Sequence, residues 1–194
     1  MYSVCRKLYS LSIINILMFA LPVLLFCSPI CAVERNELRV KAGLDYFPSL
    51  LAADLDLAEK KDRDGLITLV LVYSEDIAGA KKMAGVLQAI KKIRNILIRV
   101  EVTDNYSMGQ FRDRTVAGIF LTQQIGEGLQ ELINYADSRG IILFSPFKGD
   151  VERGVLGGLR IGDRVLPYIN LSAMKSSGIR IKKFFIGVSE TYEQ

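Results

Sequence analysis

The sequence contains no histidine, and its cysteines, Cys5, Cys27 and Cys31, all lie near the N-terminus. Without histidine there is no Ser-His or Cys-His nucleophile pair and no histidine ligand for zinc. Glycine-rich nucleotide signatures are missing as well. Neither GxxxxGK[ST] nor GxGxxG stands between a strand-like and a helix-like run, although five glycines crowd the stretch GVLGGLRIGDRVLPYINLSAMKSSGIRI. A phosphate cradle needs backbone N–H groups at a helix N-terminus, and that spacing does not provide them. Charge is also missing from residues 8–33, LYSLSIINILMFALPVLLFCSPICAV, which follow Arg6 and Lys7.

A basic start, an apolar run and a small residue have the profile of a secretory signal. The expected cut follows Ala32, which gives a signal peptide over residues 1–32 and one domain over 33–194. Ile30 stands where a smaller residue is preferred. An uncleaved membrane anchor and a lipoprotein are the rival readings, opposed by Pro22 and Pro29 in the run and by the bulky residues before Cys27 and Cys31. A chain cut after Ala32 carries no cysteine, which excludes disulfides and thiol chemistry together. Removing Arg6 and Lys7 from the 25 basic residues leaves 23 against 21 acidic ones, a net charge of +2, which argues against a nucleic-acid partner. The expected location is the periplasm.

What is present is alternation. Residues 38–59 read as partly helical, with Pro48 expected to kink or break the helix. LITLVLVYS (66–74), ILIRVEV (96–102), AGIFLT (117–122) and GIILFS (140–145) read as strands. Between them, Ser74 or Asp76 caps a helix whose apolar face is Ile77, Met83, Leu87, Ile90 and Ile93, and GEGLQELINYADSR (126–139) forms another. Strand and helix in turn predict an α/β fold, a single compact sandwich with a largely parallel sheet flanked by helices. Gly162-Asp163 between two apolar runs predicts a C-terminal hairpin. Asn170 caps a short helix over 171–177 that Gly178 stops. Periodicity leaves IRIKKFFIGVSETYE open between strand and helix.

The order GGLRIGDRVLPYINLSAMKSSGIRIKKFFIGV resembles the end of YfiR-like periplasmic proteins: a glycine pair, a hairpin, Ile169-Asn170 opening a short helix, a glycine and an apolar terminal segment. The resemblance implies a non-enzymatic periplasmic regulator. Its partner would be the extracytoplasmic domain of an inner-membrane signalling protein, a diguanylate cyclase whose cyclic-di-GMP output it lowers or a sensor kinase. Members of the repressor type carry disulfides, and a mature chain without cysteine departs from them. The alternative is a solute-binding protein of a transporter or receptor. No cofactor, metal or small molecule is assigned, and a homo-oligomer remains open.

Asn170, Lys175, Arg180, Lys182 and Lys183 form the candidate partner surface, Asn170 being also explained as a cap. Asp54, Asp56, Asp62 and Asp64 are expected to be solvated charges rather than catalytic pairs or a hard-cation site. The basic run Lys81, Lys82, Lys91, Lys92 and Arg94 is expected to be a solvated face.

Overall fold

The computed structural model describes residues 28–104 and 107–193. Residues 1–27, the greater part of the expected signal peptide, lie outside the described residues, and the expected cut after Ala32 falls within the first described helix. Among the described residues no helix is long and apolar enough to cross a membrane.

Helix α1 spans Ser28–Ala53. Strand β1 is Ile67–Tyr73, α2 Ile77–Gln88, β2 Lys92–Ile93 and β3 Ile96–Asp104. Next come β4 (Gly118–Leu121), α3 (Leu129–Asp137) and β5 (Ile142–Ser145). The C-terminal third holds β6 (Gly157–Ile161), β7 (Val165–Asn170), α4 (Leu171–Ser176), α5 (Lys183–Gly187) and β8 (Glu190–Tyr192). The strands form an eight-stranded sheet in the order β2-β3-β1-β4-β5-β6-β7-β8. Only β2–β3 and β6–β7 pair antiparallel. The fold is therefore the expected α/β one with a mostly parallel sheet, and the central strands β4 and β5 are buried along their whole length, as the unbroken apolar runs require.

Pairing places Leu69, Gly118 and Ile142 side by side, with Leu71, Phe120, Phe144 and Gly157 in the next row. Helix α1 covers this face with Phe47, Leu50 and Leu51. The Phe47 ring lies 5.5 Å from that of Phe120 and 5.8 Å from that of Phe144, and the latter two stack at 5.6 Å. Pro48 lies inside the helix, so of the expected kink or break the break does not occur. A helix-interior proline forfeits one hydrogen bond and costs about 3 kcal/mol. Here Val40, Leu44, Phe47, Leu50 and Leu51 are all buried around it, and each such side chain returns roughly 1.5–3 kcal/mol.

The glycine pair of the C-terminal third is explained by this packing. A Cβ on Gly157 would stand 2.6 Å from Leu50 of α1, and one on Gly158 would stand 2.6 Å from Val151 on the opposite face. The hairpin around Gly162-Asp163 is present with a three-residue connection, since Ile161 pairs with Val165. The terminal run is neither all strand nor all helix; it forms α5 and then β8. Helix α2 stops before Ile90 and Ile93, so its expected apolar face is shortened, and Ile93 is buried from strand β2 instead. Its last residue closes the sheet edge: the Gln88 side chain donates to Ile98 O (3.1 Å) and accepts from Val100 N (2.9 Å). In that position the amide satisfies edge groups that would otherwise invite another strand.

A buried carboxylate braces the β5–β6 connection. Ser145 Oγ donates to Asp150 Oδ2 at 2.6 Å and accepts from Phe147 N, while Arg153 lies 3.5 Å from the other carboxylate oxygen. Burial, acting against the hydrogen bond from Ser145, pushes the Asp150 carboxyl above its ordinary range. A raised carboxyl pKa means the folded state holds its proton at higher pH than the unfolded chain. The ionised side chain thus opposes folding at neutral pH, and this opposition fades as pH falls through the folded pKa. Asp150→Asn keeps an acceptor for Ser145 and is expected to stabilise the protein by up to about 1 kcal/mol at pH 7. The gain should shrink in urea titrations repeated at progressively lower pH; a gain that grows on acidification would reject the assignment.

Candidate functional site

In open parallel sheets ligands favour the crevice at the carboxyl ends of strands where the order reverses. Here β1 is flanked by β3 and β4, and the chain leaves it through α2, whose N-cap Asp76 accepts from Gly79 N at 2.8 Å. The backbone N–H groups of Ser74, Glu75 and Asp76 converge on one atom, Gln123 Oε1, at 2.9, 2.9 and 3.1 Å. Three convergent N–H groups make a nest suited to an anion. The amide oxygen of Gln123 already fills it. A cleft of about 520 Å³ opens beside it along Tyr73, Val102, Thr103 and Asp104. Two of its polar side chains bind within the chain, Gln110 to Thr103 (2.6 Å) and Ser107 to Asp104 (2.8 Å).

A groove of about 600 Å³ at the C-terminal third is built differently. Its floor is the last turns of α1 (Tyr46, Ser49, Ala52, Ala53), one wall is Leu166 and Pro167 of β7, and the other is Phe184, Phe185 and Val188. Arg94 and Lys182 bring positive charge into it. Phe185 is buried, whereas Phe184 is 74% exposed and Val188 49% exposed at the rim.

The walls are fixed by a short mixed latch. Leu55 N donates to Arg180 O (2.8 Å) and Lys182 N to Ala53 O (3.0 Å), an isolated antiparallel bridge between Asp54 and Ile181. Arg180 adds a bidentate pair with Asp56, through Nε at 2.8 Å and Nη2. The guanidinium of Arg180 holds the Asp56 carboxyl below its usual range, outweighing desolvation. Tyr46 Oη donates to Val165 O (3.0 Å) and ties α1 to the hairpin.

Both cations of the groove lean on the C-terminus of α1. Lys182 Nζ donates to Ala52 O (3.3 Å) and Arg94 Nη1 to Asp54 O (2.7 Å). A helix C-terminus carries about half a negative charge, so two full positive charges overcompensate it. Arg94 is held there by an unusual backbone: it and Asn95 form the two-residue turn between β2 and β3, with φ of 49° and 67°. Such turns require positive φ and favour Asn-Gly. A side chain such as arginine at the first position costs about 1 kcal/mol relative to glycine.

The residues singled out from sequence divide accordingly. Lys182 lines the groove, Arg180 locks its wall, and Lys183 and Lys175 are exposed on α5 and α4 without lining it. Asn170 does not belong to a partner surface, because it is 3% exposed. Its Oδ1 accepts from Ala173 N (2.9 Å) as the N-cap of α4, and its Nδ2 donates to Val151 O (2.8 Å). Asp54 also corrects the sequence reading: it is fully buried and paired with Lys60 Nζ at 2.8 Å. Asp62 and Asp64 clasp Arg99 at 2.8 and 3.1 Å. The Asp62 carboxyl is held low first by the backbone N–H of Leu66. The groove residues Tyr46, Leu166, Phe184 and Val188 were not singled out from sequence. Only the apolar pair Phe184-Phe185 ahead of a glycine hinted that one of two adjacent rings must face outward.

No protein-family model matches the chain, nor does any curated protein. Among solved structures, a Vibrio cholerae chain described as a conserved domain protein is 13% identical, with a TM-score of 0.53, over 70% of this chain and 57% of its own. The ABC domain of Streptococcus pneumoniae in complex with L-Trp is 12% identical, with a TM-score of 0.49, over 73% of this chain and 60% of its own. The chain thus spans somewhat over half the length of each. At 13% identity the likeness to the Vibrio cholerae chain is one of fold alone.

Proposed function

We propose that the protein is a non-enzymatic, exported binding protein, and that a small solute seated in the C-terminal groove is its ligand. One observation carries this reading: an open groove of about 600 Å³ whose walls are apolar and whose polar groups are few and fixed, the usual make-up of a small-molecule site. Rim residue Phe184 has no packing role that explains so exposed a ring. A thermal-shift screen against small solutes tests the proposal. Stabilising solutes are expected, and Phe184→Ala should weaken their effect while leaving the melting temperature of the unliganded protein nearly unchanged, since an exposed ring contributes little to folding. A screen without any stabilising solute would reject the reading.

A second reading is regulation of a membrane signalling protein, a diguanylate cyclase or sensor kinase, by binding its extracytoplasmic domain. The exposure of Phe184 and Val188 beside Lys183 favours it, because an exposed aromatic ring that a partner can bury serves as an anchor in protein interfaces. Such a ligand regulates by binding one state of its partner better than another. Recovery of a signalling protein from membranes by the protein but not by its Phe184→Ala variant, with cyclic-di-GMP altered on deletion, is the expected result.

A further inference from the structure

We propose that the groove binds an amphiphilic monocarboxylate, with its apolar chain along Leu166, Pro167, Phe184 and Val188 and its carboxylate between Arg94 and Lys182. The inference rests on the solute-binding reading and names the ligand class. Charge complementarity is the first argument. The groove is lined by two cations and no acidic residue, and among the described residues neither Arg94 nor Lys182 forms an ion pair.

Donor count is the second argument. A guanidinium has five N–H donors and an ammonium three, whereas the carbonyls at the end of α1 take one from each. Donors therefore remain on both cations, and a carboxylate accepts from several at once.

The third argument is backbone strain. Arg94 occupies a left-handed turn position that glycine would fill without steric conflict and that asparagine tolerates better than arginine. A residue retained against local preference points to a task of its side chain. Capping α1 is one such task. It does not account for the apolar surface facing the same cations, nor for the exposed Phe184 at the rim.

Calorimetric titration of the full-length protein separates these roles. Decanoate, kept below its micellar concentration, is expected to bind, and decyltrimethylammonium, with the same tail and opposite charge, to bind at least about tenfold more weakly, the worth of one charge-assisted hydrogen bond. Acetate, which lacks the tail, should show no binding over the same range. Arg94→Asn and Lys182→Met should each lower decanoate affinity by roughly five- to tenfold. Arg94→Asn should leave the melting temperature unchanged or higher, because the turn is relieved as the cap is lost.

Equal affinity for the two head groups would overturn the proposal. So would an Arg94→Asn protein that melts earlier yet binds decanoate normally, the signature of a cap alone. If only neutral or cationic solutes bind, and Phe184→Ala weakens them, the ligand class is wrong while the solute-binding reading stands. If no solute of any charge binds, both fall.

Discussion

Gly158→Ala is expected to destabilise the protein by about 2–3 kcal/mol, the upper part of the range for overpacking a filled core. The added Cβ would stand 2.8 Å from the carbonyl oxygen of Ser145 and 2.6 Å from Val151. A side-chain methyl can rotate away, but Ser145 O belongs to the neighbouring strand, whose register with Gly158 is fixed by parallel pairing. Relief therefore requires β5 and β6 to part. That movement would also disturb the Ser145–Asp150 brace, whose members are buried. Gly157→Ala should be milder. Its closest neighbour, Leu50 Cδ2 at 2.6 Å, is the far end of a flexible side chain. Urea unfolding of the two variants gives the comparison, and a Gly157 variant less stable than the Gly158 variant would contradict this account.

The same pair shows what the sequence makes legible. Adjacent glycines between strand-like runs announce close backbone approach, and the absence of a nucleotide spacing rules out a phosphate cradle. Which bodies approach is a tertiary fact, since one glycine meets helix α1 more than a hundred positions earlier in the chain and the other meets Val151 across the opposite face. Strands β1, β4 and β5 are readable because burial on both faces demands unbroken apolar runs, whereas β3 is only partly buried and admits Arg99 and Glu101 among its apolar residues. Pro48 does not break α1 because a buried face of five side chains imposes the helix that local propensity opposes.

The groove is hidden for a related reason. Lys182 and Phe184 lie together in the chain, but Tyr46, Arg94 and Leu166 join them only once the sheet order brings the end of α1, the β2–β3 turn and β7 together. Asn170 is legible as a cap and misplaced as a surface. Its second hydrogen bond, to Val151 O, comes from a loop that the local sequence does not reveal. The basic run Lys81, Lys82, Lys91, Lys92 and Arg94 is exposed throughout, as expected, and what the sequence hides is that the turn also brings Arg94 to the lining of the groove.

Asp54→Asn is expected to cost about 3 kcal/mol, the lower end of the range for breaking a buried ion pair by removing one partner. Asp54 is fully buried and the Lys60 side chain 15% exposed, so the ammonium would keep its desolvation without its counter-charge. The amide retains an acceptor for Asp56 N, which Asp54 Oδ1 now receives at 3.0 Å. The loss thereby isolates the charge pair. Lys60→Met in the Asp54→Asn background should recover most of the loss, because methionine fills the stem of the lysine without a charge to desolvate. Chemical unfolding of the single and double variants forms a double-mutant cycle, and the expected coupling is about 2 kcal/mol. Strict additivity would mean that Lys60 reaches water when its partner is lost, and that the pair does not anchor this turn. The outcome bears on the groove, because the carbonyl of Asp54 holds Arg94 and its backbone bridges Ile181 beside Lys182. If the pair fixes that turn, decanoate affinity should fall with the single variant and return with the double one.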